Sequence, residues 1–417
     1  MHSLSKMLSI AALALVPWLQ VSASELEVLH WWTSKGEQRA LAELKKDVKD
    51  KGYNWVNFAI TGGGGDNALK VLRSRIISGN PPAAAHIKGE TVQEWANLGL
   101  LHDIDQVAKE DNWDALIPTE LQSKLKAENK YYAAPMGLHR TNWMWVNPEP
   151  FQRIHQPVPN NLSEFLHTAP KLKKAGIMPL AMGQQDWQYG PLFEAVLLDT
   201  TSVDFYRKSM VDLNEQSYQS RKMLKVFEVL ADIRSLLPSP IIRQSWDQAT
   251  LQVMEGQAAV QINGDWIKGE FTAAGKTLDK DILCIPVSGT ESAFIYNMDS
   301  LVMFSNADPK QQQSQSDFAK TAMDADLQQR FSLNKGSIPV RQDIDLTSFD
   351  VCSQKSIFAF NDSIKNNRLL PSMAESMATS ERVKKSIFRV LEHFFEHPEV
   401  TPEEARQQLA TAIRAST

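Results

Sequence analysis

The sequence predicts an α/β fold. Apolar stretches of strand length alternate with segments of helical period over the first hundred residues. Gly, Pro, Ser and Asn punctuate the joints. Such alternation gives a parallel sheet with helices on both faces.

Leu26 to His30 reads as the first buried strand. Ser34 and Glu37 then have the spacing of a capping box, and Ala40, Leu41, Leu44 and Val48 lie on one face of the helix it opens. Tyr53 to Ile60 is a second strand, followed by a glycine-rich loop, Gly62 to Gly65. A helix from about Asn67 to Ile77 breaks at Gly79-Asn80-Pro81-Pro82. Ala83 to Ile87 is a third strand, and a helix near Thr91 to Leu98 ends at Gly99. Further on, Tyr131 to Pro135 and Asn142 to Val146 read as strands joined by Met136 to Arg140, a candidate hinge. Asn160 to Pro238 is mostly helical, with Trp187 in a polar loop. Ala258 to Ile262 and Phe294 to Phe304 are strands, Asp308 to Leu333 a helical run, and the last seventy or so residues helices. No internal repeat is visible.

The first residues are targeting, not fold. Lys6 precedes an apolar run, Met7 to Leu19, too short to span a bilayer. Val21 and Ala23 supply small residues for cleavage, which predicts a cut after Ala23. No cysteine follows it to carry a lipid. This predicts a soluble protein exported to a bacterial periplasm. The formal charge is −5, and −6 once Lys6 is removed, which argues against nucleic acid as a partner. The two cysteines, Cys284 and Cys352, are a candidate disulfide in an oxidising compartment, although sequence alone does not bring them together.

The residues that carry chemistry are indoles and scattered polar groups. Trp31 and Trp32 stand at the carboxyl end of a strand, where open α/β sheets bind ligands, although most tryptophans are core. Glu37 suits a capping box and is also one helical turn from Trp32. Lys88 ends a strand in the same half. Asp265 caps the following helix or meets a ligand, and Trp266 beside it makes a stacking plate. The glycine run lacks the Gly-Lys-Ser/Thr of a phosphate loop and the Rossmann spacing. It reads as a tight turn that admits a ligand or a neighbouring loop. The nine histidines have no zinc spacing, and no Gly-x-Ser-x-Gly elbow occurs, so neither a metal cofactor nor a serine hydrolase is expected.

An ordered set of segments carries a resemblance across essentially the whole mature chain. It runs His30-Trp31-Trp32-Thr33, Gly62 to Asp66, His86-Ile87-Lys88, Tyr131 to Pro135, His139 to Trp143, Glu255 to Ala259, Gly264-Asp265-Trp266, Asn334 to Arg341 and Pro371 to Ala374. The chain resembles the extracellular solute-binding family 1 of ABC sugar importers, in particular periplasmic glucose/mannose-binding proteins of Gram-negative bacteria. The resemblance implies a two-lobed periplasmic binding protein fold, each lobe discontinuous in sequence. The expected lobes are residues 24–138 with 297–342, and 139–296 with 343–417. It implies a ligand site of Trp31, Trp32, Glu37, Lys88, Asp265, Trp266, Asn297, Lys335 and Glu375. It also favours a Cys284–Cys352 disulfide, a monosaccharide ligand, an inner-membrane ABC permease as partner, a monomer, and no cofactor. Glu375 departs from the family pattern, because glucose-binding members carry histidine there; a carboxylate only accepts hydrogen bonds. Another hexose or an amino sugar therefore stays open. Two further readings are a secreted glycoside hydrolase with Glu37 and Glu375 as its carboxylate pair, and the same fold with an oligosaccharide.

Overall fold

The computed structural model describes residues 25–242, 244–288 and 293–417. The expected export signal at 1–23 lies outside the described residues. Among those described, ten strands form two sheets, beside a two-residue ribbon at 126–127 and 130–131. They are β1 Glu25–His30, β2 Asn54–Ala59, β3 Ala84–Ile87, β4 Ala133–Arg140, β5 Trp143–Val146, β6 Met178–Leu180, β7 Ala258–Asn263, β8 Leu283–Pro286, β9 Phe294–Met303 and β10 Leu369–Pro371.

The first sheet runs β10-β9-β3-β1-β2, with β4 on the other edge of β9. β1 pairs in parallel with β2 and β3, as the alternation predicts. β9 runs antiparallel to β3 and β4, so the sheet is mixed rather than all parallel. The second sheet runs β8-β5-β7-β6. Each sheet has its own apolar core. The first gathers Leu29, Trp32, Met136, Leu301 and Phe331; the second gathers Trp145, Phe193, Phe227, Val260 and Phe394. Two cores under two sheets make the two lobes.

The opening elements follow their sequence signals. The helix Lys35–Asp50 begins with both halves of the capping box in place and buries Ala40, Leu41, Leu44 and Val48. Cys284 and Cys352 are joined as a disulfide.

Four expectations change. Met136 to Arg140 is not a joint but the second half of β4, with every residue buried. Gly137 looks like a break in the sequence, yet its bare Cα makes room for Ser337, whose Oγ would lie 2.6 Å from an added Cβ. The connection from β4 in the first sheet to β5 in the second is only Thr141-Asn142. Trp187 is not in a loop but buried in the first turn of the helix Asp186–Thr200. The run from Asp308 is two helices, Pro309–Ala322 and Ala325–Lys335, because the Asp324 side chain caps the second by accepting from Leu327 N. The expected lobe division at 138/139 and 296/297 falls inside paired strands: Arg140 pairs with Tyr296, and β10 pairs with residues 294–296, all in the first sheet. Strand alternation explains why no clean boundary exists there. Phe294 and Tyr296 point into the first core while Ile295 points into the second.

Candidate functional site

β1 delivers Trp31 and Trp32 to its carboxyl end, where both indoles wrap the buried imidazole of His86 from β3. Ring centres are 3.8 Å apart for Trp31 and 4.4 Å for Trp32. Burial pushes the His86 pKa down to about 4 even though Asp299 lies beside it, so at neutral pH the plate behind the indoles is uncharged.

The other lobe supplies three indoles, each from a helix start. Trp266 precedes the helix Ile267–Ala273, Trp187 opens Asp186–Thr200, and Trp246 opens Trp246–Met254. Trp187 and Trp266 have ring centres 6.1 Å apart. The glycine run explains how the lobes meet. Gly64 and Gly65 have φ of 55° and 104°, and added Cβ atoms would stand 2.8 Å from Trp187 and 2.9 Å from Trp31. A side chain at Gly64 would push against Trp187 of the other lobe, and one at Gly65 against Trp31 of its own. The sequence left open what the loop approaches; the structure places two indoles against it, one from each lobe.

These walls enclose a cavity of about 40 Å³, measured to the centre of a water-sized sphere. Trp31, Trp32, Glu37, Lys88, Trp266, Asn297, Lys335 and Glu375 line it, so eight of the nine expected site residues converge. Asp265 does not line it. Nor does it cap the next helix: its carboxylate lies 2.5 Å from His139 Nδ1 and accepts the Arg140 N–H at 3.0 Å. It orients the imidazole that does line the cavity. Sequence reasoning missed His139, Asp299, Gly64, Trp187 and Trp246 as lining residues. His139 and Asn297 face one another across β4 and β9, a register that no single segment displays.

The ionised groups around the cavity are already paired. Lys88 Nζ lies 2.5 Å from Glu375 Oε2. Lys335 Nζ lies 3.3 Å from Glu37 and 3.9 Å from Asp299. Glu37 also accepts from Thr33 N and Ser34 N, so its capping and cavity roles coexist. Asp299 lies 3.3 Å from His139 Nε2 and 3.1 Å from His86 Nε2. Burial alone would raise the Asp299 pKa, yet the two imidazoles hold it well below the carboxylate range. Burial would likewise lower Lys335 and His139, but Glu37 and Asp299 raise the former and Asp265 the latter. Some neutral polar atoms of lining residues have no partner: the buried Trp32 Nε1 and Trp266 Nε1 donors and the Asn297 Oδ1 acceptor. Buried polar atoms are rarely left so. Indole faces, paired charges and unspent neutral donors and acceptors fit an uncharged, hydroxyl-bearing ring.

The model of the bacterial extracellular solute-binding protein family matches residues 29–356. A probable sugar-binding periplasmic protein of Brucella suis biovar 1 (strain 1330) is 36% identical over 423 residues, covering 100% of both chains. A protein of the same description from Rhizobium meliloti (strain 1021) is 35% identical over 98% of each. In fold, the chain is similar to the bacterial solute receptor AcbH, with a TM-score of 0.77 at 16% identity over 94% of this chain and 99% of that one. Two lobes that close on a cavity, with the extent of these matches, replace the hydrolase alternative: the chain belongs to the bacterial extracellular solute-binding proteins, and it binds its solute rather than turning it over.

Proposed function

We propose that the protein captures a single neutral sugar, a hexose such as glucose or mannose, between its lobes in the periplasm and presents it to an inner-membrane ABC permease. The observation that carries this reading is the convergence of indoles from both lobes on one small cavity whose charges are mutually paired. The Brucella and Rhizobium relatives, described as sugar-binding and periplasmic, support the ligand class and the compartment. Trp31, Trp32 and Trp266 stack on the ring. Glu37 and Glu375 accept hydroxyl hydrogens, Lys88 and Lys335 donate, and Asn297 offers its unspent oxygen. Asp265 acts through His139.

The pairing of Lys88 with Glu375 favours a hexose over an amino sugar, since Glu375 already has its ammonium. The size of the cavity favours one ring over an oligosaccharide. A melting-temperature screen against hexoses, amino sugars and disaccharides tests the reading. The expected outcome is stabilisation by a hexose alone; stabilisation only by a disaccharide or an amino sugar overturns it. In calorimetry with the stabilising hexose, Trp266→Ala should lose about 1–3 kcal/mol of affinity, as expected for an aromatic anchor. Unchanged affinity removes the stacking role.

A further inference from the structure

Glu194 lies in the middle of the helix Asp186–Thr200, is fully buried, and has no ammonium or guanidinium among its bonded partners. Its carboxyl group instead meets Tyr206 Oη at 2.5 Å, Ser372 Oγ at 2.7 Å and Met373 N at 2.5 Å. Ser372 Oγ in turn accepts the Glu375 N–H at 3.1 Å. One buried acid thus ties down the loop that presents Glu375 to the cavity.

The proton inventory at this clip is short by one. Tyr206 has a single hydroxyl proton but two acceptors in range, Glu194 Oε1 at 2.5 Å and Pro371 O at 2.9 Å. With an ionised Glu194, either Pro371 O lacks the Tyr206 proton, or Tyr206 Oη and Glu194 Oε1 face one another at 2.5 Å with no proton between them, even though Oε1 also accepts the Met373 N–H. With a protonated Glu194 the acid donates to Tyr206 Oη, and Tyr206 donates to Pro371 O. A proton then lies between Glu194 and Tyr206 and another between Tyr206 and Pro371 O, while Ser372 Oγ and Met373 N still donate to the carboxyl oxygens.

We propose that Glu194 is a positioning residue that carries a proton in the folded molecule and thereby clips the Ser372–Glu375 loop beneath the cavity. The role assigned to Glu375 rests on the proposed sugar site; the clip itself does not. Burial supports the protonated form, raising the Glu194 pKa to about 7 against its hydrogen bonds. The other titratable groups on the surrounding elements are accounted for. Tyr206 and Tyr296 keep their protons through this range because burial raises both. Lys384 on the helix Glu381–Glu396 is held by Glu381 and Asp66. Glu392 and Glu396 on that helix interact with Asp186 and Tyr189 at the start of the Glu194 helix. Asp199, five residues along, titrates near 6 through burial and is the one group that overlaps.

The test is made on the full mature protein without sugar, so a failed sugar screen leaves it intact. Infrared difference spectra between pH 6 and pH 8.5 should show a buried protonated glutamate in protein labelled with ¹³C-glutamate, which separates it from Asp199. Glu194→Gln should lack that band. Hydrogen-exchange protection of Met373 N–H, corrected for intrinsic rate, should fall about tenfold over the same rise in pH and stay level in the variant, which keeps an oxygen for that amide. A labelled wild-type protein with no protonated glutamate at pH 6 overturns the proton assignment, whether or not the variant folds. Protection that is level with pH in the wild type overturns the clip.

Discussion

Asp299 sits at the centre of the cavity's polar cluster, with His86, His139 and Lys335 all within 3.9 Å of it. Its folded pKa is depressed, so it stabilises the protein above the ordinary carboxylate value and loses that contribution as pH falls through the folded value. Glu194 has the opposite sign. Its folded pKa is raised to about 7, so its contribution is full below the ordinary carboxylate value and is lost as pH rises through neutrality. Denaturant unfolding across pH should therefore give a stability maximum on the mildly acidic side, and Asp299→Asn should flatten its acid limb. Of the nine residues that the family pattern suggested, eight meet in one cavity. Asp299 and His139 were not legible as a pair, because their meeting depends on the register of β4 against β9. Trp187 was mistaken for a loop residue, since the polar Gln184-Gln185-Asp186 before it hides the start of an apolar helix.

The helix Lys35–Asp50 joins local and tertiary signals. Its capping box was read from Ser34 and Glu37 alone, and both halves form. Because Glu37 also meets Lys335, the cap and the site share a residue. Ser34→Ala should cost about 1 kcal/mol in denaturant unfolding, the usual value for a lost cap, and should weaken sugar binding as well. Loss of stability with intact affinity would separate the two roles. β4 was the least legible strand. Gly137 and Arg140 suggest a joint, whereas burial under Ser337 and the arene faces of Trp143 and Phe294 makes them interior. A propensity reading has no access to such partners.

At the scale of the whole molecule, contacts on both sides of the cavity hold the lobes together. Gly36 N donates to Glu270 Oε1 at 2.7 Å from one lobe to the other, and Asp66 meets Lys384 at 3.4 Å and Lys385 at 3.7 Å. Asp66→Asn should favour the open form and weaken sugar affinity by about 1 kcal/mol, read by calorimetry together with a larger radius in small-angle scattering. The Cys284–Cys352 disulfide ties β8 of the second sheet to the helix Val351–Lys365, whose Ala359 and Phe360 pack in the first core. With the cysteines 68 positions apart in sequence, its removal should cost about 4 kcal/mol on the loop-entropy account, seen as a lower unfolding midpoint under reduction.

The two-residue passage Thr141-Asn142 between β4 and β5 leaves very few torsions in which one half can turn against the other at this point. Uptake and discharge should therefore swing two preassembled bodies about a stiff pivot, leaving each interior undisturbed. Lengthening that passage with inserted glycines would be felt in how quickly the jaws shut, long before it registered in what they can hold.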